Sequence, residues 1–372
     1  MTLLATRVKE IWTTLHSIPE IGFKEVKTAA FLAGQLQHSG YQIQTGVGGT
    51  GVIGTLTSSR PGPTLALRAD MDALPHVIDG QDAAIHSCGH DAHAAIVLAA
   101  AQELAAKGIT QGTLKILFQP AEETLLGATR MIEDGAIDDV DILLGIHLRP
   151  IQEAALKQAT PALCHGASYI MEATIHGSTA HGARPHLGVN AIDGAAAAVQ
   201  AINAIHINPV IPATVKVTKL HAGGATLNSI PDKAVMALDL RAQNNATMEE
   251  LIEKATRAIQ AGAATVGGQA AINILGGCPA AEYAQDIVDL AKEAITSVLG
   301  EKGLLAPVTT PGGEDFHFFR KHKPALKTGY IGLGADLTPG LHHPEMTFNK
   351  EALLDGVNIL LYMADKILGT AK

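Results

Sequence analysis

Apolar residues recur at helical spacing twice near the start of the chain. Residues 4–17 carry Val8, Ile11, Trp12 and Leu15 on one face, and the helix must stop before Pro19, which disfavours helical backbone in the residue ahead of it. Residues 24–38 repeat the pattern with Val26, Phe31, Leu32 and Leu36, and Gly40 is placed to cap that helix. The texture then becomes strand-like over 41–47, 51–57 and 64–68, the last run feeding into A-D-M-D-A-L-P. A long Ala-rich helix is predicted over 91–107, with Asp91 as its N-cap and Gly108 at its end. Residues 114–118 are too apolar to be half exposed, so they predict a central strand. A helix over 125–134, stopped at Gly135, and a buried strand over 142–146, ending at His147, complete this stretch. Strands alternating with helices predict an α/β fold with an open, mainly parallel sheet and helices on both faces. Ligands bind such sheets at the carboxyl ends of strands, where Asp70, Asp72, Glu122, Glu123 and His147 are all expected.

From about Ser168 the order changes. A strand over 169–175, a helix over 189–205, strands over 214–220 and 234–241, a helix over 248–264 and a strand near 270–275 spell β-α-β-β-α-β. That is the ferredoxin-like, split βαβ order, and it predicts an inserted α+β domain. The α/β texture returns with a helix over 286–299, a strand near 326–333 and a final helix over 350–368. The expected division is a discontinuous α/β domain, 1–166 with 277–372, the one that carries the strand-end candidates, interrupted by a domain over 167–276.

At 372 residues the chain is long enough for two such cores. A formal charge of −9 opposes a nucleic-acid partner, which would demand a basic stripe. No apolar run approaches the length of a membrane span, and the N-terminus does not read as a secretory signal, so a cytoplasmic location is expected. The three cysteines, Cys88, Cys164 and Cys278, are odd in number and irregularly spaced, which suits a reducing compartment.

Candidate chemistry centres on I-H-S-C-G-H-D-A-H (residues 85–93) and Q-P-A-E-E (119–123). Cys88 and His90 stand two residues apart where a helix begins, and a helix N-terminus favours a thiolate. Read alone, the pair fits a metal site about as well as a buried thiol in a capping turn; a nucleophilic cysteine with a histidine base is a third reading. Paired glutamates normally mark a solvated surface. Glu122 and Glu123 instead follow an apolar strand, and adjacent side chains diverge, so one could bind a metal while the other serves as base. His147 and His342 by themselves are ordinary strand-end histidines. Asp70 and Asp72 fit ligands, partners of ligand histidines or turn residues. His181, in S-T-A-H-G-A-R-P-H, reads as a loop histidine, and G-G-E-D-F (312–316) as a glycine turn before a helix.

Taken together these segments resemble the zinc aminoacylase and carboxypeptidase family. They are most similar to its hippurate hydrolase-like amidohydrolase branch, with the N-acetyl-diaminopimelate deacetylases and the plant hydrolases of auxin–amino acid conjugates. The motifs run nearly end to end: H-S-I-P-E-I-G-F-K-E from His16, L-R-A-D-M-D-A-L-P from Leu67, H-S-C-G-H-D-A-H from His86, F-Q-P-A-E-E from Phe118, A-H-G-A-R-P-H from Ala180, N-S-I-P-D from Asn228, G-G-E-D-F and L-H-H-P from Leu341. The resemblance implies Cys88 as a ligand shared by two divalent metal ions (Zn, Mn, Co or Ni), with His90, Glu123, His147 and His342 as the others. It implies Glu122 as general base and then acid, and Asp70 and Asp72 as supports behind the ligands. His181 and Asn228 would bind the oxyanion or the substrate carboxylate, often across a dimer, and Arg184 and Gly313 fall in the matching substrate-binding segments. The inserted domain would act as a lid and a homodimer interface. The implied reaction is hydrolysis of the amide bond of an N-acyl amino acid, a small amino acid conjugate or a peptide. A dipeptidase or carboxypeptidase of the same fold and a catalytically silent metal-binding protein are the alternatives. Two departures concern the pocket wall: the short stretch between Pro75 and His86, and Gly313 where a serine is common.

Overall fold

The computed structural model describes residues 2–310 and 312–371. The N-terminal stretch forms α1 (Leu3–His16), α2 (Val26–His38), β1 (Gln42–Val47), β2 (Gly51–Thr57) and β3 (Thr64–Asp70). A hairpin, β4 (Leu74–Ile78) and β5 (Gln81–Ile85), leads to α3 (His90–Lys107). Then come β6 (Thr113–Gln119), α4 (Gly127–Glu133), β7 (Ile142–Pro150), β8 (Ala159–Thr160) and β9 (Leu163–His165). The middle of the chain holds β10 (Ala167–His176), β11 (Ala180–His181), α5 (Ala191–Asn203), β12 (Ala213–Ala222), β13 (Ser229–Ile230), β14 (Lys233–Ala242), α6 (Asn245–Ala264) and β15 (Gln269–Cys278). It ends with α7 (Gln285–Leu299), β16 (Val308–Thr310), α8 (His317–His322), β17 (Lys327–Leu337) and α9 (Ala352–Leu368). The described residues form two compact units, one of 2–164, 282–310 and 314–371, the other of 165–281 and 312–313.

The first unit is built on a seven-stranded sheet in the order β1-β2-β6-β3-β7-β17-β8. Its four inner strands, β6-β3-β7-β17, are mutually parallel, and the strands outside them add antiparallel edges. Alternation sorts the side chains between the two faces. Leu65, Leu67, Ile116, Phe118, Leu144, Ile146 and Ile331 join one core with α1, α3, α7 and α9. Ala66, Leu117, Leu143 and Tyr330 face the other way, into a smaller core with Met131, Phe316 and Phe319. Helix α3 is buried nearly all round from His90 to Ala101, which explains its alanines: small side chains let a helix pack close on several neighbours.

Two expectations shift here. Asp91 is not the N-cap of α3; Gly89, at φ 88°, holds that position, and Asp91 sits two residues further on, inside the first turn, accepting the Ala92 N–H and pairing with His16. His147 does not end its strand, since β7 continues to Pro150.

The second unit carries a four-stranded antiparallel sheet ordered β12-β14-β10-β15, with α5 and α6 packed on it. Alternate residues of β10 (Ala167, Tyr169, Met171, Ala173, Ile175) are buried beneath those helices, the signature of a sheet covered on one face. No helix among the described residues is long and apolar enough to cross a membrane.

Candidate metal centre

The site is assembled at the carboxyl ends of the parallel strands. β3 ends in Asp70, and Asp72 follows two residues later; β6 ends in Gln119, and the turn after it carries Glu122 and Glu123. The loop into α3 supplies Cys88 and His90, β7 supplies His147, and the segment after β17 supplies His342. The His342 backbone N–H donates to the Ser87 carbonyl at 2.7 Å, tying that distant segment beside Cys88.

The donor atoms converge. Cys88 Sγ lies 3.6 Å from His147 Nε2, His90 Nε2 lies 3.7 Å from Glu123 Oε1, and His342 Nε2 lies 3.4 Å from Glu123 Oε2. Cys88 belongs to two ligand-spaced groups, one with His90 and His147 and one with Glu123 and His342, so its thiolate could contact two ions. Metal–ligand bonds of about 2.0–2.3 Å give a tetrahedral edge of roughly 3.3–3.8 Å, which these spacings match.

Hydrogen bonds behind the donors fix which atoms are free. His90 Nδ1 meets Asp72 Oδ1 at 3.0 Å and His147 Nδ1 meets the Leu148 carbonyl at 2.6 Å. In its neutral form each ring therefore donates from Nδ1 and keeps its Nε2 lone pair. His90 Nε2 and Glu123 Oε1 are buried and have no hydrogen-bond partner, an arrangement that costs free energy unless a cation lies between them. Of the neighbouring imidazoles, His93 is excluded as a ligand. Its Nδ1 bonds Asp70 Oδ1 at 2.7 Å and its Nε2 accepts the Leu148 N–H at 2.9 Å, leaving no lone pair. His343 Nδ1 likewise accepts the Glu345 N–H, so of the two adjacent histidines His342 is the one facing Glu123. Asp70 and Asp72 both stand behind the donors, Asp72 Oδ2 also accepting the Glu123 N–H at 3.1 Å.

Electrostatics point the same way. Burial pushes the Cys88 thiol well up, and Glu123 and Glu122 add to the rise. The neighbouring His90 opposes that rise. Burial opposes a cationic His90, yet Asp70, Cys88 and Asp72 together hold its pKa well above the ordinary value. Burial also pushes the Glu122 carboxyl well up, helped by Glu314 and Asp315. Acidic groups crowded in a dry pocket resist ionisation together, and a divalent cation reverses that balance.

Sequence reasoning missed the layer beneath. Arg68, 1% exposed, directs five N–H groups at five acceptors: Gln119 Oε1, Asp70 Oδ2, Tyr330 Oη, Glu314 Oε1 and Asp315 Oδ1, at 2.8–3.2 Å. Glu25 Oε1 accepts the Ala121 N–H at 2.8 Å, holding the turn that bears Glu122. An arginine inside an apolar strand was the available signal for the first, since burial there demands acceptors.

The other sequence-predicted residues lie on the second unit. β11 pairs with β13, setting His181 opposite Ser229, and the Gly182 N–H donates to the Asn228 carbonyl. The Arg184 N–H donates to the His181 carbonyl, so His181, Arg184 and Asn228 share one exposed ribbon. Gly313 is not part of it: it packs against Cys278, whose sulfur would lie 2.5 Å from any added Cβ. A serine there would require the Cys278 side chain to shift.

Residues 66–366 match the model of peptidase family M20/M25/M40. The chain is 32% identical over 370 residues to a hippurate hydrolase of Campylobacter jejuni, covering 95% of this chain and 94% of the relative. It is 30% identical over 368 residues to an N-acetyl-L-cysteine deacetylase of Bacillus subtilis, covering 95% and 86%. Its backbone superposes on a dinuclear metal-binding M20 peptidase of Bacillus subtilis with a TM-score of 0.81, at 26% identity over 99% of both chains. The chain belongs to peptidase family M20/M25/M40.

Proposed function

We propose that the protein is a metal-dependent amidohydrolase that cleaves the amide bond of N-acyl amino acids or small amino acid conjugates. The observation that carries this reading is the buried, partnerless pair His90 Nε2 and Glu123 Oε1 beside Cys88, with Glu122 facing the same point. Cys88, His90, Glu123, His147 and His342 would hold two divalent ions of the Zn, Mn, Co or Ni class, Cys88 shared between them. Bound there, the ions polarise the scissile carbonyl and acidify a water towards a pKa of about 7.

Glu122 takes the proton from the attacking water. It lies 4.0 Å from His90 Nε2, within reach of the ligand cluster. Having accepted that proton, it hands it to the leaving amine, so one side chain serves both half-steps. Asp72 keeps the His90 lone pair outward and holds the Glu123 backbone. His181 accepts the Ala183 N–H at Nδ1, so the neutral ring carries its proton on Nε2, a donor suited to an oxyanion. Asn228 and Arg184, on the same ribbon, serve the substrate carboxylate. We place the enzyme in the cytoplasm as a homodimer that associates through its second unit.

The test is amine release from a panel of N-acyl amino acids and dipeptides, using chelated protein re-loaded with Zn²⁺, Mn²⁺ or Co²⁺. Metal-restored turnover of the N-acyl class is expected. Turnover confined to dipeptides would make the protein a dipeptidase instead. If ions bind and no substrate turns over, the hydrolase reading fails and a silent metal-binding protein replaces it.

A further inference from the structure

We infer that Asp315 is a positioning residue that closes the neck of the turn bearing Glu122 and Glu123. The turn runs over residues 120–127, and Asp315 grips the residues on either side of it. Gln119 Nε2 donates to both Asp315 oxygens, at 2.8 and 3.0 Å, and the Ala128 N–H donates to Oδ2 at 2.9 Å. The turn needs such a hold. Ala121 and Leu125, at φ 52° and 57°, are non-glycine residues in the left-handed region, a conformation that persists only when its surroundings enforce it. At the neck the chain nearly touches itself, since a Cβ on Gly127 would lie 1.7 Å from the Pro120 carbonyl oxygen. Glu25 and Asp72 steady single amides inside the turn, at Ala121 and Glu123; among the described residues the Asp315 carboxylate bonds both ends.

Asp315 is not needed merely to neutralise Arg68, because Asp70 and Glu314 already bond that guanidinium at 2.8 and 3.1 Å. Glu122 also has oxygen atoms in two clusters, one with Glu314 and Asp315 and one with His90 and Glu123. Two carboxyls behind Glu122 bias it towards the ligand side. The segment Glu314-Asp315 thus acts on Glu122 and Glu123 from nearly 200 residues away in sequence.

This inference rests on Glu122 and Glu123 acting as base and ligand, and its test has an arm that needs no substrate. Asp315→Asn keeps the shape of the side chain but sets an amide against donors that require an acceptor. Gln119→Met removes the link from the other side while leaving the Asp315 carboxylate in place; it also takes one acceptor, that of Nε, from the Arg68 guanidinium. Each chelated variant is titrated with Co²⁺, following the thiolate charge-transfer and ligand-field bands, and its kcat, KM and Tm are measured. Asp315→Asn is expected to weaken Co²⁺ binding and to lower kcat by about 10–100-fold each, the usual cost of losing an outer-layer partner. KM should stay within about threefold, because no substrate contact is removed. Gln119→Met should move the same quantities by less.

A purely structural role would lower Tm and leave the Co²⁺ affinity and spectrum alone; that result in a folded variant overturns the inference. If Asp315→Asn does not fold, Gln119→Met decides on the same criterion. If the unaltered protein turns over no substrate, the Co²⁺ titration still decides. Failure of the unaltered protein to bind Co²⁺ overturns both readings, whereas equal binding by all three proteins overturns this one alone.

Discussion

His90 and His147 in the α/β unit and His181 in the second unit are wired in opposite senses. In the α/β unit, His90 and His147 give their Nδ1 protons to Asp72 and the Leu148 carbonyl, so each keeps an Nε2 lone pair. In the second unit, His181 receives the Ala183 N–H at Nδ1 and keeps an Nε2 proton instead. On the proposed reading, one residue type would thereby serve as a cation ligand in one place and a hydrogen-bond donor in the other. The supports differ as well. Behind the ligands lies a buried layer in which Asp70, Asp72 and Arg68 are saturated, whereas His181 sits on an exposed two-stranded ribbon. On the proposed reading, the contrast would separate residues that hold an ion rigidly from residues that meet a substrate on a less constrained element.

The sharpest way to break this contrast is at the base. Glu122→Gln should keep the ligand set and lose the proton acceptor, lowering kcat by roughly 10²–10⁴-fold. Metal content by elemental analysis should stay at the unaltered level. Loss of metal together with activity would make Glu122 a ligand. His181→Ala comes next, with a fall of about 10²–10³-fold in kcat, as for one oxyanion donor. Metal affinity should not change, since the ribbon contributes no ligand. A comparable loss of metal in this variant would erase the division of labour between the units.

Asp72→Asn probes the supporting layer. An amide can meet His90 Nδ1 with its oxygen or the Glu123 N–H, but it cannot accept from both as the carboxylate does. Metal affinity and activity should fall together by about 10–100-fold. An unchanged affinity would mean that the ligands are held by the backbone alone.

How far the sequence revealed this arrangement depended on the kind of signal. Helices α1, α2, α7 and α9 and six of the seven strands of the sheet, all but the two-residue β8, were readable from apolar patterning, because burial imposes it. The β4-β5 hairpin was not, being short and largely exposed. Asp91 looked like a cap because acidic residues favour helix starts, but Gly89 supplies the left-handed turn and frees Asp91 to pair with His16. Cys88, His90 and Glu122–Glu123 stood out through local spacing. Residues whose meaning comes only from long-range contact stayed silent: nothing near Asp315 in sequence shows that it bonds Gln119 and Ala128. His93 illustrates the converse. It looks as ligand-like as His90 by composition, and only the Leu148 N–H on its Nε2 disqualifies it.

The mildest prediction concerns the rim of the same unit, where an imidazole is neither ligand nor oxyanion donor. His16 Nδ1 meets Asp91 Oδ2 at 2.6 Å, and that hydrogen bond raises the pKa of His16 above its ordinary 6.5, with burial and, more weakly, Lys350 opposing. A raised pKa means that the folded protein binds the proton more tightly than the unfolded chain does. The stabilisation is therefore complete below about pH 6.5 and is lost as pH rises through the raised value. His16 is half exposed, so solvent screening limits the contribution to at most about 1 kcal/mol. His16→Gln should be less stable than the unaltered protein at pH 6, and the gap should narrow towards pH 9. A constant remainder is expected from the lost stacking on Trp12, whose ring centre lies 4.8 Å away. Chemical denaturation of both proteins across that range measures the gap directly. A gap that does not change with pH would mean that His16 is bonded to Asp91 as a neutral ring.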